Sequence, residues 1–101
     1  MAYKARILPT AEAELESISA YLLQFGPATA ARFMDEYGKQ LDLLASGVVD
    51  YGFAKVPSLA ARGYRACLVN SYVMLYYRED DEIVVAHIFH QSQDYARLVV
   101  S

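Results

Sequence analysis

Three short segments follow one another near the end of the chain with almost nothing between them. They are Arg62-Gly63-Tyr64-Arg65-Ala66-Cys67-Leu68-Val69, Tyr72-Val73-Met74-Leu75-Tyr76-Tyr77-Arg78 and Ile83-Val84-Val85-Ala86-His87-Ile88-Phe89-His90. Each is rich in β-branched and aromatic residues, and the joints are Asn70-Ser71 and Glu79-Asp80-Asp81-Glu82. Such spacing predicts a three-stranded antiparallel meander. The second and third segments are apolar at both parities. They are therefore expected to lie centrally and to be covered on both faces, or to leave one face for a partner.

The N-terminal half reads differently. Tyr3 to Leu8 alternates as a strand that Pro9 stops. Thr10 then suits the N-cap of a helix, with Glu12 and Glu14 near the positive end of its dipole. Ala11, Leu15, Ile18, Leu22 and Phe25 recur at helical steps as one apolar stripe. Gly26 is expected to end that helix and Pro27 to open the next. The second helix carries Ala30, Phe33, Tyr37, Leu41 and Leu44 and stops at Gly47. Gly38 weakens it by about 1 kcal/mol relative to alanine, and a close approach of another element would explain its presence. So short a joint makes the two helices an αα-hairpin. Pro57 implies an edge position or a loop for the stretch 50–59, in which 48–49 and 53–56 can be extended. Residues 91–101 read as a short helix or a tail with an apolar end. The order is β-α-α-β-β-β, an α+β fold whose antiparallel sheet packs against the αα-hairpin.

With 101 residues, 55% of them hydrophobic, the chain is expected to form a single domain over residues 1–101 with one core. Cys67, the one cysteine, allows neither an intrachain disulfide nor a cysteine metal site. Its place in a strand makes it a buried, inert thiol. No signal segment and no membrane-spanning stretch is evident, and a reducing cytoplasm fits. The net charge of −3 is unevenly spread. Thr10 to Ala45 has two basic and six acidic residues, a net −4, whereas the remainder is near balance. This is unlike a domain that grips nucleic acid through its phosphates. Glu12, Glu14 and Glu16 read as a solvated face. His87 and His90 stand three apart on one strand and point to opposite faces, so they do not make a metal pair. No nucleotide-binding fingerprint is present, and no cofactor or metal is expected.

The arrangement resembles the RelE/ParE superfamily of bacterial type II toxins over nearly the whole chain. Pro9-Thr10-Ala11-Glu12-Ala13-Glu14-Leu15 with Ile18 and Tyr21-Leu22 resembles its first helix, and Gly26-Pro27 its hairpin turn. Gly63-Tyr64-Arg65 resembles its glycine–aromatic–arginine strand, and the last two segments resemble its last two strands. The resemblance implies a small toxin that is held by an antitoxin. It leaves two activities open, messenger RNA cleavage on the ribosome and inhibition of DNA gyrase.

RNA cleavage by 2′-oxygen attack needs a base, an acid and positive charge for the transition state. Arg65, His90 and Tyr95 are the candidates here, but Gln91-Ser92-Gln93 stands where many RelE-like chains carry a base. Tyr76-Tyr77-Arg78 and the ending His90-Gln91-Ser92-Gln93-Asp94 resemble the ParE-like branch more closely, with Ser92 in place of its frequent arginine. The expectation is therefore a gyrase-directed toxin with a ParD-like antitoxin. The alternatives are a ribosome-dependent endoribonuclease and an inactive antitoxin-binding module. Arg6, Arg62, Arg65, Arg78, His90 and Asp94 are the expected partner contacts. A strand from the partner is expected at the edge formed by Tyr3–Leu8 or by 53–59, and an amphipathic helix beside the hairpin.

Overall fold

The computed structural model describes residues 3–47, 52, 54 and 57–92. In chain order the elements are β1 (Lys4–Ile7), α1 (Pro9–Leu23), α2 (Pro27–Ser46), α3 (Pro57–Ala61), β2 (Arg65–Val69), β3 (Tyr72–Glu79) and β4 (Glu82–His90). The meander is as the sequence implies. β2 and β3 pair antiparallel from Val69↔Tyr72 to Arg65↔Tyr76, and β3 and β4 from Glu79↔Glu82 to Tyr72↔His90. Asn70 and Asp80 start the two turns with φ near 55°, a left-handed conformation that short polar side chains tolerate.

The four strands lie in the order β1-β4-β3-β2, so the two apolar strands are central. Tyr72, Met74 and Tyr76 face the helices, while Val73 and Leu75 face the other way. A bulge interrupts the β3–β4 ladder. Leu75 pairs with His87 but Tyr76 pairs with Val85, which leaves Ala86 as the extra residue. The bulge shifts the parity of β4. Val85 and Ile88, three residues apart, therefore both reach the helix-side core.

β1 joins the meander parallel to β4, with Lys4↔Glu82 through Ile7↔Val85, so the sheet is mixed where the sequence suggested antiparallel strands throughout. The α1 helix follows at once and takes over the edge that β1 leaves. The Leu8 amide donates to the Val85 carbonyl at 2.9 Å, the Thr10 hydroxyl donates to the Ala86 carbonyl at 2.9 Å, and the Ile88 amide donates to Glu14 Oε1 at 3.0 Å. Glu14 Oε2 also lies 3.5 Å from His87 Nδ1. Side chains of a helix thus stand where a fifth strand would be. Two expectations are corrected. The N-cap is Leu8, Pro9 is already helical, and the Thr10 hydroxyl is spent on β4. Glu14 is a half-buried clasp for a strand edge instead of part of a solvated face.

The hairpin forms as expected, with small changes at its joint. The α1 C-cap is Gln24, and Gly26, at φ 118°, is the N-cap of α2 with Pro27 behind it. Phe25 falls between the helices and is exposed. Gly47, at φ 78°, closes α2 by donating to the Leu44 carbonyl at 3.2 Å. Gly38 has open space where a side chain would stand, so no close approach explains it. Ala11, Phe33, Tyr37 and Leu44 bury against Cys67, Met74, Tyr76, Ile83 and Val85, with Leu15, Ile18, Leu22 and Leu41 at the margin. On the other face Leu59 of α3 and Ala54 cover Val73 and Leu75. Pro57 opens α3 and gives no edge strand. Among the described residues the free edges are the outer sides of β1 and β2. Residues 48–51, 53, 55 and 56 and the tail beyond Ser92 lie outside the described residues.

Candidate functional site

The α1 helix runs alongside β4. Ser17, Ile18 and Tyr21 of α1 then stand opposite Ile88, Phe89 and His90, with Tyr72 between them. They bound a groove of about 660 Å³. A smaller recess of about 290 Å³ continues it through Tyr21, Tyr72 and His90 to Thr29, Arg32, Asn70 and Ser71. Tyr21 at the rim is 53% exposed and makes an edge-on contact with Phe25 at 5.3 Å. Tyr72 forms the floor between the Phe33 ring at 5.0 Å and the His90 ring at 5.2 Å. Its phenol titrates above the usual tyrosine range, chiefly through burial and secondarily through neighbouring Tyr21. The floor is therefore uncharged and carries one hydroxyl. Glu14 stands at one end of the groove and Arg32 at the other, so its two ends differ in sign.

The residues singled out in the sequence divide between two ends of the sheet. His90 is at the groove, its Nδ1 2.7 Å from Ser92 Oγ and accepting from the Ser92 amide at 3.1 Å. Arg6, Arg62, Arg65 and Arg78 are at the far end. Arg6 pairs with Glu82 at 3.1 Å and Glu79 at 3.5 Å, an exposed pair of small energetic value. Arg78 lies over the Tyr3 ring, 5.0 Å from its centroid. Arg65 opens β2 opposite Tyr76, and Arg62 is exposed in the turn before it. Tyr76 is four residues along β3 from Tyr72, the partner of His90. Arg65 and His90 are thus about 13 Å apart along the strands and about 10 Å apart across them. The pair does not converge on one scissile bond. Asp94 and Tyr95 lie outside the described residues.

His87 and His90 do face opposite ways. His87 stacks on Phe89 at 5.4 Å and meets Tyr64 at 6.4 Å, on the side away from the hairpin. No group of three or more potential metal ligands exists among the described residues. No helix among them is long and apolar enough to cross a membrane. The groove itself was visible in the sequence only as a place beside the hairpin. Ile18 and Ile88 read there as ordinary core residues, and nothing local marks them as groove walls.

Cys67 is buried under α2, where its thiol lies 3.6 Å from Gln40 Oε1. Burial, helped by the Glu36 carboxylate, pushes it up to about 11 from 9.0. A raised acid pKa makes the unfolded chain release its proton first. Above pH 9 the native state then binds more protons than the unfolded one, so stability falls as pH rises. Denaturation from pH 8 to pH 11 should show this decline starting near 9, and Cys67→Ala should flatten it below 10, where Tyr37 and Tyr72 begin to add theirs. An unchanged slope in that variant would mean that the thiol is not the source.

The family model described as the ParE toxin of the type II toxin–antitoxin system parDE matches residues 5–95. The chain belongs to this family. Among solved structures, the chromosomal ParDE toxin–antitoxin system from P. aeruginosa contains a chain of the same fold. It superimposes with a TM-score of 0.71 at 17% identity, over 88% of this chain and 96% of that one. No curated protein matches the sequence.

Proposed function

We propose that the chain is the toxin of a type II toxin–antitoxin pair, that it arrests growth in the cytoplasm by inhibiting DNA gyrase, and that a ParD-like antitoxin neutralises it. The family match over residues 5–95 carries the toxin assignment. The groove beside α1 supports the antitoxin. It has an apolar floor, an exposed aromatic rim and ends of opposite sign, which suit an amphipathic helix docked in one direction. The separation of Arg65 from His90 favours gyrase over messenger RNA, because general acid–base cleavage needs its charged groups around one phosphate. Plasmid or chromosome maintenance by such a pair follows from the same reading.

The test sets DNA supercoiling by purified gyrase beside cell-free translation, each with and without antitoxin. The expected result is loss of supercoiling with translation untouched, relieved by the antitoxin. Cut messenger RNA with normal supercoiling would replace the gyrase reading with the ribonuclease one and turn attention to Arg65, His90 and Tyr95. No effect in either assay, with antitoxin still bound, would identify a binding module without toxicity.

A further inference from the structure

The β4 strand is apolar at both parities, so its side-chain pattern alone does not choose which residues face the hairpin. A straight strand continued from the Tyr76↔Val85 pair would set His87 opposite Met74 and Phe89 opposite Tyr72. His87 and Phe89 would then look towards α1, and Ile88 would lie on the other face. The bulge at Ala86 reverses this. Met74 stands opposite Ile88 and Tyr72 opposite His90, and these two β4 residues line the groove.

The backbone groups of β4 show what holds the bulge. In a regular strand successive carbonyls point to opposite sides. Here the Val85 and Ala86 carbonyls both turn to the start of α1. The Leu8 amide meets the first and the Thr10 hydroxyl the second, each at 2.9 Å. A straight β4 would turn the Ala86 carbonyl into the ladder with β3 and take it away from Thr10. The Ile88 amide is turned outward too, and it donates to Glu14 Oε1 at 3.0 Å. In a straight strand that amide would point at β3. β1 ends at Ile7, so the residues that follow it supply these partners. A bulge frees backbone groups from the ladder, and leaving them unpaired costs about as much as a lost hydrogen bond.

We propose that Thr10 is a positioning residue for the groove. By holding the Ala86 carbonyl, with Glu14 holding the Ile88 amide, it fixes the bulge and aims Ile88 and His90 at α1 in place of His87 and Phe89. Thr10 does not line the groove, so its effect there passes through β4. The exchange matters to a partner. The His90 ring stands edge-on to Tyr72 at 5.2 Å, and the straight strand would put an apolar ring in place of that imidazole. The consequence for binding rests on the reading of the groove as the antitoxin's seat.

Nuclear magnetic resonance on the full chain reads the bulge directly. The wild type should show Tyr72 in contact with His90 and the Ile88 amide protected from exchange. Thr10→Val keeps size and branching but removes the hydroxyl. It should raise exchange at Ile88 about tenfold, bring Phe89 against Tyr72, and weaken antitoxin binding about tenfold in calorimetry. Thr10→Ser keeps the hydroxyl and should restore all three readings. Wild-type contacts at Tyr72 in Thr10→Val would overturn the proposal, because packing alone would then set the bulge. If Thr10→Val does not fold, Glu14→Ala takes its place, and unchanged contacts there count equally against it. A Thr10→Ser variant as loose as Thr10→Val would also refute it, by tracing the effect to the start of the helix and not to the hydroxyl. A loosened β4 that still binds antitoxin at full affinity would refute the positioning role, and Tyr21→Lys then separates the causes. Weaker binding in Tyr21→Lys keeps the groove as the seat and strikes the positioning alone. Full binding there strikes the reading of the groove itself.

Discussion

Phe33→Ala is expected to remove about 3–5 kcal/mol of folding stability. Phe33 is 2% exposed and sets its ring edge-on to Tyr72, 5.0 Å away at 65°. It is the point at which α2 grips the centre of the sheet, and an aromatic pair of this kind contributes about 0.5–1.5 kcal/mol beyond its buried area. A domain of this size has only about 5–15 kcal/mol in total, so the variant should sit near the edge of folding. Urea denaturation followed by far-ultraviolet circular dichroism would measure the loss. A cost below about 1 kcal/mol would mean that the cavity collapses freely and that the hairpin is held elsewhere.

Ile18→Asp should weaken antitoxin binding by about 30-fold or more, which is about 2 kcal/mol. Ile18 lies mid-groove between Tyr21 and Glu14 along α1, facing Ile88. A carboxylate there must either lose its water to an apolar partner or hold that partner out. Ile18 also packs at the margin of the core, so the variant alone mixes binding with stability. Tyr21→Lys separates them. Tyr21 is 53% exposed, its replacement should leave the fold unchanged, and it should still weaken binding by about tenfold. Titration calorimetry with the antitoxin decides the matter. Full affinity in both variants would remove the groove from the interface and return Arg6, Arg62, Arg65 and Arg78 to first place.

The meander was legible in the sequence almost to the residue, because strand composition and two-residue turns are local signals. The hairpin was legible for the same reason, with errors confined to its ends. Thr10 and Glu14 were misread for one shared cause. Each has a sound local role at a helix start, but β4, more than seventy residues away, competes for their oxygens and wins. The direction of β1 and the bulge at Ala86 are likewise settled by pairing with distant strands, which no local pattern records. As for function, the sequence had Arg6, Arg62, Arg65, Arg78 and His90 in view but not their division between two ends of the sheet. That division depends on register across three strands.

The parallel β1–β4 ladder joins residues 4–7 to residues 82–85. β1 must therefore wait for β4, made about eighty residues later, before it can join the sheet. Until β4 emerges, α1 has no edge to clasp and its groove has only one wall. Contacts so distant along the chain are slow to form because the loop between them must first close. A growing chain thus presents no finished groove before β4 is made, and a ribosome that stops short of β4 releases a fragment unable to complete the sheet. The groove is withheld by the order of synthesis until residue 90 has been made.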